Sequence, residues 1–164
     1  MNRAFVKDSD DADRPEVLPE RPQSPHPNYV TPAGLQRLRA QAADLASRLR
    51  SIGPAADPHE GALLQRDLRW VEGRLQRAIL VDPAVQAPDR VRFGTTVEVR
   101  HEDGSTEALT IVGEDEAEAG TGRISWSSPL AEALLDAEPG DEVAWHRPAG
   151  KTRLEILGVR MGRK

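Results

Sequence analysis

The sequence is most informative in what it lacks. None of its 164 residues is a cysteine, which excludes a disulfide framework, a thiol nucleophile and a cysteine-ligated zinc site. The four histidines (His26, His59, His101 and His146) are scattered without the spacing of metal ligands. No apolar run approaches the length that crosses a membrane, and Met1 opens a polar, acidic stretch without the apolar core of a secretory signal. We therefore expect a soluble, cytoplasmic protein.

An excess of positive charge is also absent. The 22 Lys and Arg residues are outnumbered by 27 Asp and Glu residues, which gives a formal net charge of -5. A protein whose main partner is a phosphate backbone relies on clustered cationic side chains. The charge balance therefore argues against a nucleic acid as the main partner. The length leaves room for one ordinary domain or two small ones.

The first 28 residues are rich in proline and charge. Five of the 13 prolines fall between Pro15 and Pro27, and four aspartates lie between Asp8 and Asp13. Such a segment buries too little apolar surface to offset the entropy lost on ordering. We predict a disordered, acidic tail over residues 1–28, with a specific docking peptide as the alternative.

Residues 29–82 carry two segments of helical periodicity. Thr31 followed by Pro32 is typical of an N-cap with proline at the first helical position. The loop between the two segments is short, so the helices should form an antiparallel hairpin that ends before Pro83. The apolar positions of the hairpin, spaced in steps of three and four, are Leu35, Leu38, Ala42, Leu45, Leu49 and Ile52, then Leu64, Leu68, Val71, Leu75 and Ala78.

Arginines occupy the other faces of both helices. They allow two interpretations: a solvated outer surface, or a basic stem that enters an acidic or phosphate-lined channel. Trp70 lies beside the apolar positions and is expected to cover the hairpin or pack on the next domain. The arginines concerned are Arg37, Arg39, Arg48, Arg50, Arg66, Arg69, Arg74 and Arg77.

From residue 90 to residue 160 the apolar period changes to two, which is typical of strands. Asp103-Gly104 is a hairpin-turn signal, and Ser128-Pro129 marks the start of a short helix. The pattern predicts a small antiparallel sheet with one helix packed on a face, so that the whole chain is of the α+β class. The expected core is Val97, Val99, Leu109, Ile111, Ile124, Leu130, Leu134, Leu135, Val143, Leu154 and Ile156.

The stretch TIVGEDEAEAGTGRISWSSPLAEALLDAEPGDEVAWHRPAGKTRLEILGV resembles the C-terminal domain of the Gre-type bacterial transcription elongation factors (GreA and GreB). The resemblance covers most of residues 91–159, and the hairpin entered by TPAGLQRL resembles the family's N-terminal coiled coil. It implies that the sheet domain has the FKBP-like fold of that family. Residues 1–28 match nothing in this pattern.

The resemblance implies a regulator of transcription elongation that binds RNA polymerase at its secondary channel. It would bind as a monomer, with only indirect contact to the nucleic acid, without a cofactor and without being an enzyme itself. The family's polymerase-contacting loop corresponds to Ser127-Ser128-Pro129-Leu130. Ser127 stands where the family usually carries Asp or Asn, so the charge of that contact is missing.

The resemblance also bears on Asp57 and Glu60, which lie where the hairpin turns. In the family, acidic residues at the tip help to hold a second Mg²⁺ at the polymerase active site. The second half of the family's tip motif is missing here, and the arms are shorter, so the tip would stop about 12 Å higher in the channel. Asp57, Pro58 and Glu60 also fit a capping box, in which Glu60 reaches back to the N-cap amide. Both interpretations stay open.

Two alternatives to a cleavage-stimulating factor follow. The first is a regulator that occupies the channel without supporting transcript cleavage, as in the nucleoside diphosphate kinase regulator family. The second is a prolyl isomerase, because the family's C-terminal fold resembles FK506-binding proteins. Such a pocket needs an aromatic lining, for which the domain offers only Phe93, Trp126 and Trp145.

Overall fold

A helical hairpin and a five-stranded sheet make up the protein, whose computed structural model describes residues 18–85 and 88–162. Helix α1 (Pro32–Ser51) and helix α2 (Pro58–Gln76) pack together as the predicted hairpin. Thr31 caps α1 by accepting a hydrogen bond from the Gly34 amide, with Pro32 at the first helical position. No helix among the described residues is long and apolar enough to span a bilayer.

The apolar positions of the hairpin are confirmed as its core. Leu38, Leu45, Leu64 and Val71 are buried. The remaining predicted positions pack against them partly buried, and Trp70 covers the same cluster. Spacing in steps of three and four places these side chains on the facing sides of both helices.

A parallel pair of strands at the base of the hairpin was not predicted. Strand β1 (Asn28–Val30) pairs with strand β2 (Ala78–Leu80). The helix was expected to continue to Ala78, but α2 ends at Gln76. The partner of β2 lies about fifty residues earlier in the chain, so the local helical pattern carries no sign of it.

Residues 18–27, hereafter the strap, run along α2. The indole nitrogen of Trp70 donates to the Pro22 carbonyl at 3.1 Å, and the Gln23 amide donates to the Trp70 carbonyl at 2.9 Å. The prediction of a disordered tail is therefore wrong for the strap, while residues 1–17 lie outside the described residues. Hydrogen bonds to α2 stabilise the strap in place of apolar burial. Its prolines also reduce the conformational entropy that the unfolded chain loses when the strap becomes ordered.

The sheet domain confirms the α+β class. Its strand order is β5-β4-β3-β7-β6, and the expected core residues are buried or packed against the buried cluster. Gly104 takes a φ of +83° in the predicted hairpin turn. The elements are β3 (Thr95–His101), β4 (Thr106–Val112), β5 (Arg123–Ser125), α3 (Pro129–Leu134), β6 (Glu142–Arg147) and β7 (Gly150–Met161).

One strand departs from the predicted antiparallel sheet. Strand β5 pairs with β4 in parallel, whereas the three other pairings are antiparallel. A parallel pair needs a connection that returns to the starting end of the sheet, and residues 113–122 provide it. That connection begins with three consecutive carboxylates, Glu114, Asp115 and Glu116.

Glu116 joins this connection to the start of α1. Its carboxylate is 3% exposed and accepts hydrogen bonds from both the amide (3.0 Å) and the hydroxyl of Thr31. A negative charge is favourable at a helix N-terminus. Gly34 leaves the room for it, because a Cβ there would lie 2.2 Å from the Glu116 carboxyl carbon.

Glu114 and Asp115 hold α2 through Arg74. The Arg74 guanidinium is 1% exposed and lies 3.3 Å from Glu114 and 2.7 Å from Asp115. It also donates to the side chain of Asn28 at 2.5 Å. Both interpretations of the arginines are therefore wrong for Arg74, which is a buried link between the hairpin and the sheet domain. Helical spacing cannot show that its carboxylate partners lie forty residues away.

Gly34→Ala and Gly61→Ala form a matched pair that tests the Glu116 contact. At Gly61 the nearest atom to an added Cβ is 4.0 Å away, so alanine should raise the free energy of unfolding by about 0.5–1 kcal/mol through helix propensity. At Gly34 the clash with Glu116 should instead lower it by about 1–3 kcal/mol. Urea unfolding measures both changes. Equal stabilisation by the two substitutions would show that Glu116 does not lie over α1.

Arg74→Met tests the link to α2. Breaking a buried ion pair is strongly destabilising because it leaves an uncompensated charge. The partner carboxylates here are partly exposed, so we expect a loss of about 3 kcal/mol. Arg39→Met is the control on the exposed face of α1 and should stay within about 0.5 kcal/mol of the parent. Thermal and urea unfolding decide, and similar effects of the two variants would contradict the prediction.

Candidate functional site

The hairpin tip presents the first pair of candidate residues. Asp57 caps α2, because its carboxylate accepts a hydrogen bond from the His59 amide at 3.0 Å, with Pro58 at the first helical position. The expected return bond from Glu60 to the Asp57 amide is not formed, so the capping box is only half made. Within the described part of the chain, the Glu60 carboxylate makes no hydrogen bond or ion pair, and both residues are exposed. The Asp57 carboxylate is therefore engaged as the helix cap, whereas the Glu60 carboxylate is available to a ligand.

The tip alone offers few metal ligands. Among residues 18–85 and 88–162, no group of three or more His, Asp or Glu side chains is arranged to hold a metal ion. Beside Glu60, a shallow cavity of about 330 Å³ is lined by residues of both helices, including Arg48, Ile52 and Leu64. Carboxylate oxygens are the donors that Mg²⁺ prefers. Asp57 and Glu60 could supply only part of its coordination.

The second set of candidate residues, Ser127–Leu130, is hereafter the docking loop. The Ser128 hydroxyl accepts from the Ala131 amide at 3.2 Å and so caps α3, as predicted. The Ser127 hydroxyl lies 2.9 Å from the Ser125 hydroxyl and donates to Glu114 at 3.3 Å. Both hydroxyls are therefore engaged within the protein. Pro129 is exposed and Leu130 is half-buried, so these two apolar residues are the ones that a partner could reach.

An apolar groove of about 440 Å³ adjoins the docking loop. One wall is formed by Ile124, Pro129 and Leu130, and the other by the end of β6 and the turn after it. The Arg147 guanidinium lies 5.0 Å from the centre of the Trp145 ring. The sequence analysis did not identify this second wall. The WHRP stretch before the turn, in which a tryptophan, a histidine, an arginine and a proline follow one another, was a signal that could have indicated it. The residues of the second wall are Trp145, His146, Arg147 and Pro148.

The aromatic residues of the domain do not converge on one pocket. Tyr29, next to the strap, packs against Trp126 at 4.9 Å and against Phe93 at 6.1 Å between ring centres. Trp126 also meets the ring of His26 at 5.9 Å. Of the three aromatics considered for a prolyl isomerase, only Trp145 lines the groove. Phe93 and Trp126 instead pack around Tyr29, away from the lining of the groove.

Comparison with known proteins identifies the sheet domain. Residues 86–161 match the family model described as "Transcription elongation factor, GreA/GreB, C-term". These residues contain the docking loop, both walls of the groove and the three carboxylates that hold the hairpin. The match therefore covers the part of the chain on which the resemblance was based.

The sequences of relatives extend the likeness to the hairpin. The chain is 36% identical over 151 residues to GreB of Neisseria meningitidis serogroup B, covering 80% of this chain and 93% of that protein. It is 35% identical to GreA of Chloroflexus aggregans, covering 82% and 98% of the two chains. A solved GreA/GreB factor from Nitrosomonas europaea is 28% identical, covers 80% of this chain and 98% of that one, and has a TM-score of 0.41. The identity and coverage of the GreB and GreA relatives show that the chain belongs to the GreA/GreB family of transcription elongation factors.

Proposed function

We propose that this Gre-type factor acts as a monomer on RNA polymerase at the secondary channel. The groove beside the docking loop binds the polymerase surface at the channel entrance, and the hairpin enters the channel. Gre factors as a family bind RNA polymerase, while the channel and the monomeric state are inferences for this chain. The proposal implies a cytoplasmic protein.

The observation that carries this proposal is the set of buried contacts that joins the two candidate surfaces. Glu116 holds the start of α1, while Glu114 and Asp115 hold Arg74 of α2. A partner seated in the groove therefore fixes where the tip points. Because α1 has 20 residues, it extends about 30 Å from this joint. A hairpin of this length can reach into a deep, narrow site.

The factor itself is proposed not to be an enzyme. The hydroxyls of Ser127 and Ser128 are bonded to a carboxylate and to a helix amide, and within residues 18–85 and 88–162 neither is hydrogen-bonded to a histidine as an activated nucleophile would be. Any chemistry at the tip would use carboxylates that complete a metal site on the polymerase. A second metal in such a site stabilises attacking and leaving oxygens.

The tip favours channel occupation over stimulated cleavage. Asp57 is used as a helix cap, and Asp57 and Glu60 are the two carboxylates between Ile52 and Ala62. We propose that the protein competes with longer Gre factors for the channel. The second candidate, stimulated transcript cleavage, is favoured by one observation, which is the unengaged Glu60 carboxylate.

Asp57→Asn distinguishes these two functions. Asparagine caps about as well as aspartate, so stability should change little, whereas Asp57→Ala should cost about 1 kcal/mol. We expect the wild type to give no stimulated cleavage in a backtracked elongation complex and to inhibit cleavage stimulated by an added GreB. Asp57→Asn should compete as well as the wild type. Robust wild-type cleavage that disappears in Asp57→Asn would instead establish the second function, since a neutral amide ligates Mg²⁺ poorly.

Pro129→Glu tests the groove as the polymerase-binding surface. A carboxylate is tolerated in the first turn of α3, but it places an unpaired charge in an apolar interface. We expect polymerase binding to weaken at least about tenfold, or 1.4 kcal/mol, in a titration with labelled factor.

Pro139→Glu is the matched control, because Pro139 is exposed and does not line the groove. Its affinity should equal that of the parent. Equal affinities of both variants would place the polymerase contact elsewhere, and a thermal melt of each variant excludes unfolding as the cause.

A further inference from the structure

The strap begins on the outer face of α2. The Glu20 carboxylate pairs with Arg69 at 2.6 Å, and the Arg21 guanidinium lies 3.4 Å from Asp67. The same guanidinium stands 4.1 Å from the centre of the Trp70 ring. These exposed pairs contribute little stability one by one. Together they fix the register of the strap along the helix.

The middle of the strap is fitted to α2 more closely. Trp70 is bonded at both its indole nitrogen and its carbonyl, to Pro22 and Gln23 respectively. Gln23 also accepts from Arg77 at 2.6 Å. Gly73 makes the approach possible, because a Cβ there would lie 2.8 Å from the Gln23 amide nitrogen. A glycine inside a helix costs about 1 kcal/mol relative to alanine, and here its missing side chain is the space that Gln23 fills.

The end of the strap lies on the sheet domain. The Ser24 hydroxyl donates to Glu114 at 2.9 Å, and the ring of His26 meets the edge of Trp126. The strap therefore crosses the junction between the hairpin and the sheet domain. Prolines at positions 19, 22, 25 and 27 favour an extended, semi-rigid backbone over this span.

Glu114 is the residue where these elements meet. One carboxylate oxygen accepts from Ser24 of the strap and from Ser127 of the docking loop, and the other faces Arg74 of α2 at 3.3 Å. A displaced strap would remove one of the groups that hold this carboxylate in place. The docking loop would keep its own bond from Ser127 to that carboxylate.

We propose that the strap is a brace that holds the hairpin at one angle to the sheet domain, with Glu114 as the positioning residue that connects it to the docking loop. The Arg74 and Glu116 contacts hold the base of the hairpin through consecutive residues of one connection. The strap attaches further along α2, at Asp67 and Arg69, and so holds the hairpin at a second point away from the base. The structural role of the brace does not depend on the proposed function. Only its expected effect on the action at RNA polymerase rests on that function.

Gly73→Leu in the full-length chain tests the brace. Leucine strengthens α2 but occupies the space of Gln23, so the strap should detach while the hairpin stays folded. Because the natural sequence has no cysteine, Arg50→Cys and Lys151→Cys introduce two unique spin-label sites, one at the end of α1 and one on β7. Double electron–electron resonance should give a narrow distance distribution for the parent and a clearly broader one for Gly73→Leu.

Gly61→Leu is the matched control, because it makes the same substitution in α2 away from the strap. Deletion of residues 1–17 is a second control that leaves every described strap contact in place, whereas deletion of residues 1–27 should broaden the distribution as Gly73→Leu does. Far-UV circular dichroism checks that the total helix content of each variant equals that of the parent. Unchanged distributions in both Gly73→Leu and the longer deletion would overturn the proposal.

Polymerase provides a second measurement. With the groove intact, Gly73→Leu should retain binding to polymerase but lose competition with GreB for the channel, because the hairpin is no longer aimed. Full competition by a variant whose label distribution has broadened would overturn the proposed role of the brace in aiming the hairpin. The spin-label distances need no polymerase, so a failure of the proposed function would leave that result standing.

Discussion

Three consecutive carboxylates at the start of the connection between β4 and β5 join the helical hairpin to the sheet domain. Glu114 and Asp115 bind the buried Arg74 of α2, while the next residue, Glu116, binds the start of α1. Each carboxylate would be costly to bury alone. The hairpin supplies their partners, a guanidinium and the positive end of a helix. Asn28 accepts from Arg74 within the hairpin part, but the ion pairs of Arg74 are made across the joint.

The joint would allow two distant surfaces to serve the proposed function together. The groove beside the docking loop is apolar, and the tip carries exposed carboxylates. These surfaces suit different neighbours and lie at opposite ends of the hairpin arm. When the groove binds a partner, a fixed connection also sets the position of the hairpin tip, which a flexible linker could not do. The strap adds a third point of attachment along α2.

The local patterns of the sequence predicted most of the elements. Thr31-Pro32 and Ser128-Pro129 begin helices, Asp103-Gly104 closes a hairpin turn, and the apolar spacing of the hairpin is its core. Each of these signals acts over a few residues, where propensity and periodicity decide. The family motif also contains Glu114, Asp115 and Glu116, whose contacts with the hairpin the motif alone does not indicate.

The sequence by itself determined the helix starts, the strand periodicity, the absence of thiol chemistry and the identity of the sheet domain. Only the tertiary structure decided the parallel pairing of β5, the β1–β2 pair, the burial of Arg74 and the course of the strap. The physical reason is the same for all four. Each depends on how the chain returns to a partner outside the local pattern, such as Thr110 for Arg123, Asp115 for Arg74 or Trp70 for Pro22. Hydrogen bonds and ion pairs to such partners leave no period in the local pattern, because they depend on where the chain returns rather than on which residues are adjacent.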